Sequence, residues 1–121
     1  MFKHILIPLD GSPFAEKALV YGMSLAKNYG GEVTLMQVLP PAWKAEMKAE
    51  IPQGEGLTQE VKTAVVANYL TDVEEKLRQH NDCKINALIM RGSSVAELII
   101  DAVESEDIDS IVMSTHGLTG I

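Results

Sequence analysis

Cysteine is nearly absent. Cys83 is the single one in 121 residues, so no internal disulfide can form and a disulfide-stapled secreted scaffold is excluded. Its expected role is that of a small core residue, not a reactive thiol. Basic residues are also scarce, with 10 Lys and Arg against 17 Asp and Glu and a formal net charge of −7. That balance disfavours nonspecific nucleic-acid binding, which needs a basic footprint. No uncharged apolar run approaches the roughly 18 residues of a membrane-spanning helix. The apolar stretch before Pro8 and Asp10 is too short for a secretory signal, so a cytoplasmic protein is expected. The Gly-x-x-x-x-Gly-Lys-[Ser/Thr] phosphate loop is missing, and Gly54-Glu55-Gly56 does not continue as Gly-x-Gly-x-x-Gly. No Ser/His/Asp or Cys/His set stands out as a nucleophilic centre. His4 and His80 have no partners at metal-ligand spacing.

What remains has the composition of an ordinary globular chain, 46% hydrophobic and 22% charged, and its length suits one domain with a sizeable core. Residues 5–9 are wholly apolar and end at Asp10-Gly11-Ser12, which predicts a strand buried on both faces. Ser12-Pro13 predicts a helix start, with serine as N-cap and proline in the first turn. Ala15, Ala18, Leu19, Gly22, Met23 and Ala26 recur at helical spacing until Gly30-Gly31 ends the helix. Val33–Leu39 reads as a second strand closed by Pro40-Pro41. Trp43–Glu50 reads as a short charged helix or mobile surface loop, and Pro52–Gly56 as a break. A long helix is expected over Thr58–Gln79, with an apolar stripe of Val61, Val65, Val66, Tyr69, Leu70, Val73 and Leu77.

Lys84–Met90 predicts a third strand. Ser94 and Glu97 have capping-box spacing ahead of a helix with Val95, Leu98, Ile99, Ala102 and Val103 on its apolar face. Ile108–Met113 predicts a fourth strand. The alternation β-α-β-α-β-α-β predicts an α/β fold, an open parallel sheet with helices on both faces and right-handed crossovers.

In such sheets ligands bind outside the carboxyl ends of the strands. Three ends offer suitable residues: Pro8-Leu9-Asp10, Val38-Leu39-Pro40, and Met113 to Gly120. Asp10 can accept hydrogen bonds from a ribose or base, or can serve its own turn backbone. His116 can donate to a phosphate or be satisfied by a nearby carbonyl. Gly117 and Gly120 can let backbone N–H groups approach an anion or can simply make a turn. An acidic chain still binds a nucleotide where backbone donors, a helix N-terminus or a metal ion offset the phosphate charge.

These segments together resemble the universal stress protein family over residues 1–121. The carriers are Ile5–Ser12, the strand ending near Val38, Gly92-Ser93-Ser94-Val95-Ala96-Glu97-Leu98-Ile99, and Ile111–Gly120. The resemblance implies a cytoplasmic stress-response protein, a homodimer, that binds ATP, with or without Mg²⁺, as a sensor or switch. Any ATP hydrolysis would be slow, and no membrane or nucleic-acid partner is implied. By the same resemblance Pro8, Leu9 and Asp10 lie around adenine and ribose, and Val38 offers its backbone to the base. Met113, Ser114 and His116 belong to the loop beside ribose and phosphates, with Gly117 and Gly120 forming the first half of the family's phosphate motif.

Ser114 stands where many ATP-binding members have glycine. The motif's second half, the last helix and the fifth strand of the family pattern do not follow Gly120-Ile121. This 121-residue form is therefore expected to bind ATP more weakly than a complete one and to self-associate or be marginally stable. A member that binds no nucleotide and acts through dimerisation or partner binding is the alternative.

Overall fold

The apolar run near the start of the chain becomes the middle of a sheet. The structure, a computed structural model, describes residues 1–41 and 58–114. Along them lie β1 (His4–Leu9), α1 (Pro13–Glu16), α2 (Ala18–Tyr29), β2 (Glu32–Leu39), α3 (Gln59–Arg78), β3 (Ile85–Arg91), α4 (Val95–Ser105) and β4 (Ser110–Ile111). The strands pair in the order β3-β2-β1-β4, and every pair is parallel. The expected short helix at 43–50 and the break at 52–56 lie outside the described residues.

Strand alternation splits β1 between two cores. Ile5, Ile7 and Leu9 join Val33, Leu35 and Leu39 under α2 and α3, where Met23, Ala26, Leu70 and Val73 cover them. Leu6 and Met36 point the other way, onto Ile99 and Ala102 of α4 and onto Ile108. Ile5, Leu6 and Ile7 are all fully buried, as a strand covered on both faces requires.

Local chemistry sets the helix ends. Ser12 Oγ accepts from Ala15 N at 3.2 Å, Thr58 Oγ1 from Val61 N at 3.1 Å, and Ser94 Oγ from Glu97 N at 3.2 Å. Each satisfies an amide that the first turn leaves without an intrahelical acceptor. Gly30 closes α2 in the left-handed conformation, φ 65°, which glycine adopts without a Cβ clash.

The structure corrects three expectations about where the elements run and which face of α3 is buried. The first helix is not continuous: Lys17 N–H turns back to Phe14 O at 3.2 Å, so α1 is a single turn set apart from α2. Val61 and Val65 are 42% and 56% exposed and do not belong to the buried stripe. At about 100° per residue, Val66, Leu70, Val73 and Leu77 fall within one narrow arc, whereas Val65 stands about 100° from Val66 and Val61 farther still.

The third correction shortens β4 from the expected 108–113 to Ser110–Ile111. Ile108 belongs to the exit of α4, its N–H bonded to Val103 O at 3.1 Å after a left-handed Asp107. The far end of β4 is limited by its neighbour. Asp109 N–H donates to His4 O and Val112 N–H to Leu6 O, both at 3.0 Å. By strand alternation the next backbone position of β1 on that side is Pro8, which has no N–H to give. The β1–β4 ladder stops there.

Candidate functional site

The chain steps from β1 to β2 to β3 in one direction across the sheet, and β4 then returns to the other side of β1. The order therefore reverses between β1 and β4, and α/β sheets open a ligand crevice at such a reversal, beyond the strands' carboxyl ends. The last β1–β4 pair is Leu6 with Ile111, and Pro8 stands just beyond it.

A cavity of about 200 Å³ occupies this place, lined by Pro8, Leu9, Asp10, Ala15, Met36, Val38, Val95, Ile99, Met113 and Ser114. Among the described residues the lining is mostly aliphatic, with Asp10 as its one ionisable side chain. Its volume lies below the roughly 300–1,000 Å³ of clefts that swallow a drug-sized ligand. It suits one ring system with the rest of the ligand outside.

Asp10 sits on a tight turn at the mouth. Gly11 takes φ 87°, and Ser12 N–H donates to Asp10 Oδ1 at 2.8 Å. The turn-residue role is thus present. It is compatible with a ligand role, because a carboxylate has about four lone-pair sites. Ser12 also caps α1, so one short segment fixes both the carboxylate and the Ala15 wall. Nearby, Tyr69 Oη of α3 donates to Glu16 Oε2 at 2.5 Å. Burial, this bond and the charges of Glu16 and Asp10 push the Tyr69 phenol far above its ordinary value, so it keeps its proton throughout the neutral range.

A larger hollow of about 680 Å³ lies at the opposite end of the sheet, among Lys3, Lys27, Gly30, His80, Asp82, Cys83 and Lys84. It is a weaker candidate despite its size. The carboxyl ends of α2 and α3 face it, and their carbonyls repel anions. Lys3 Nζ already donates to Tyr29 O at 2.9 Å, and Lys84 lies 3.8 Å from Glu32. Burial, seconded by Asp82, pushes the Cys83 thiol up, away from nucleophilic chemistry.

Of the residues singled out in the sequence, Pro8, Leu9, Asp10, Val38, Met113 and Ser114 meet around this cavity at the strand ends. His116, Gly117 and Gly120 lie outside the described residues. Ala15, Met36, Val95 and Ile99 line the cavity and were not anticipated. Val95 is 52% exposed, not core. Its position one residue after the Ser94 cap was the available signal, because a helix following a parallel strand starts at the ligand end of the sheet. Among the described residues no group of three or more His, Cys, Asp or Glu side chains could hold a metal ion.

Fold and site define a parallel α/β protein with a small, mostly aliphatic crevice at its topological switch point. The sequence model of the Universal stress protein family matches residues 1–121, and the chain belongs to that family. It is 29% identical to a universal stress protein of Methanocaldococcus jannaschii, over all of this chain and 69% of that one. Among solved structures it resembles the hypothetical protein MJ0577, whose structure was used to assign a biochemical function. That likeness has a TM-score of 0.75 and 25% identity, and covers 100% of this chain and 82% of the other. A universal stress family protein from Burkholderia pseudomallei shares the fold at a TM-score of 0.70 and 21% identity, over 98% of this chain and 86% of that one.

Proposed function

We propose that this chain is a stress-response protein that binds an adenine nucleotide, ATP with or without Mg²⁺, as a sensor or switch. The observation that carries the reading is the meeting of Pro8, Leu9, Asp10, Val38, Met113 and Ser114 around one apolar, base-sized cavity at the β1/β4 reversal. The aliphatic walls suit a purine face, the Val38 backbone its polar edge, and Asp10 the ribose hydroxyls. The described lining includes no Lys, Arg or His. Phosphate charge would therefore depend on backbone N–H groups and on a bound Mg²⁺, which lowers the net charge brought to an acidic chain. With Asp10 given to the ribose, hydrolysis is at most slow. The proposal includes a homodimer and a cytoplasmic location. Among the described residues no helix is long and apolar enough to cross a membrane.

Calorimetric titration with adenosine, and with ATP plus Mg²⁺, tests this directly. Both ligands should bind. Asp10→Asn keeps an oxygen for Ser12 N–H but removes the charge, and should weaken adenosine by about 1.5–3 kcal/mol, as expected for a hydrogen bond to a charged group, with little change in melting temperature. No binding of either ligand would leave the non-nucleotide, partner-binding alternative.

A further inference from the structure

The single-turn α1 forms one wall of the cavity through Ala15, yet a lone turn has little stability of its own. Beside backbone bonds within the turn, such as Glu16 N–H to Ser12 O at 3.3 Å, three hydrogen bonds that involve side chains help hold the segment it belongs to. Two are local, Ser12 N–H to Asp10 Oδ1 at 2.8 Å and Ala15 N–H to Ser12 Oγ at 3.2 Å. The third, Tyr69 Oη to Glu16 Oε2 at 2.5 Å, reaches across 53 positions from α3. Tyr69 can act as a fixed post because its ring packs on the core of Leu35, Leu70 and their neighbours. α3 is itself tied to the sheet: Arg91 at the end of β3 donates to Gln59 Oε1 at 2.7 Å and to Thr63 Oγ1.

We infer that Tyr69 and Glu16 are positioning residues for the strand-end site, a latch from α3 that holds α1 and the Asp10 turn in the geometry a nucleoside meets. The inference rests on the adenine reading above. The latch acts on ligand binding through preorganisation: without it, ligand must order the turn as it binds. Tyr69 keeps its proton throughout the neutral range, so the donor of this bond is present there.

Adenosine is the probe, since it has no phosphate charge to respond to Glu16. Tyr69→Phe retains the ring and loses only the donor. It should weaken adenosine about 2- to 10-fold, the range for ordering one mobile element on binding, and should speed amide hydrogen exchange at Ser12 and Ala15. Glu16→Ala should do the same, whereas Glu16→Gln, whose amide oxygen accepts the same bond, should restore affinity.

Equal losses in Glu16→Gln and Glu16→Ala would mean that charge and not the bond matters, and would overturn the latch. Wild-type affinity in both Tyr69→Phe and Glu16→Ala would overturn it too, as would unchanged exchange at Ser12 and Ala15 in Tyr69→Phe, with or without ligand. Faster exchange in Tyr69→Phe, in a parent chain that binds neither adenosine nor ATP, would overturn the adenine reading while upholding the latch's hold on the turn.

Discussion

Gly22 is where α2 crosses β1, and adding one methyl group there should destabilise the protein even though alanine is the better helix former. An ideal Cβ at position 22 would lie 2.4 Å from Ile7 Cδ1 and 3.0 Å from Ile7 Cγ1, with Val112 Cβ at 3.8 Å. Ile7 is fully buried, so its side chain cannot swing into solvent. Two effects compete. Replacing glycine in a helix interior gains about 0.8–1.0 kcal/mol, and forcing a methyl into a packed core costs about 1–3 kcal/mol. The contact is shorter than any real Cβ contact, so the upper half of that cost applies and Gly22→Ala should lose about 1–2 kcal/mol net. Gly22→Val adds two methyl groups toward Ile7 and Val112 and should lose about 3 kcal/mol or more.

For chains near this length 1 kcal/mol moves the melting temperature by roughly 3–6 °C, so Gly22→Ala should melt several degrees lower. Ser24, exposed on the same helix, supplies the control: Ser24→Ala has the propensity gain without the clash, and should be neutral or slightly stabilising. Urea titration of the three variants against the parent measures the free energies. A Gly22→Ala protein as stable as the parent, or more so, would refute the close α2–β1 packing. Because β1 runs from Ile7 straight into Pro8, Leu9 and Asp10, a shifted strand should also weaken adenosine binding in Gly22→Ala.

Two further outcomes are expected. Val95→Trp, placed at the cavity mouth where the native side chain is half exposed, should abolish adenosine binding while leaving the melting temperature unchanged or raised, because the indole covers apolar walls the base would cover; calorimetry and a thermal melt on one sample check both signs. Asp109 ties β1 to β4 by accepting from Lys3 N–H at 2.9 Å, Ser110 Oγ at 2.9 Å and His4 N–H at 3.4 Å; its slight burial favours the protonated form, but these donors and the N-terminal ammonium hold the carboxyl below its usual range. A folded-state value below the unfolded one adds stability above about pH 4 that is lost as pH falls, so Asp109→Asn should cost stability at pH 7 and show a shallower acid-side decline; equal slopes in a pH series of urea titrations would refute it.

How much of this could be read from the sequence depended on what each signal encodes. Residues 5–9 disclosed a strand buried on both faces because no polar residue interrupts them, and Ser12, Ser94 and Gly30 marked helix ends through local chemistry that tertiary context does not change. Alternating strands and helices then left few topologies, and the parallel sheet followed. Periodicity did less well at Val61 and Val65, because an apolar residue near a stripe need not be on it. It failed differently at Val95, which has the right angle for the core but extends past the end of the sheet.

The short β4 depends on a contact between Pro8 and a strand about a hundred positions away. Nothing local to 108–113 signals it. The site divides along the same line. Asp10, Val38 and Met113 stand at strand ends, where a parallel α/β sheet must put its crevice, so topology alone nominates them. Ala15, Met36 and Ile99 enter from helices and a strand interior, and only the packing angles of α1 and α4 bring them in. Tyr69 is the sharpest case: its spacing on α3 assigns it to the core, and its ring is there. Its hydroxyl nevertheless reaches Glu16 beside the Asp10 turn, a second role that helical periodicity has no means of encoding.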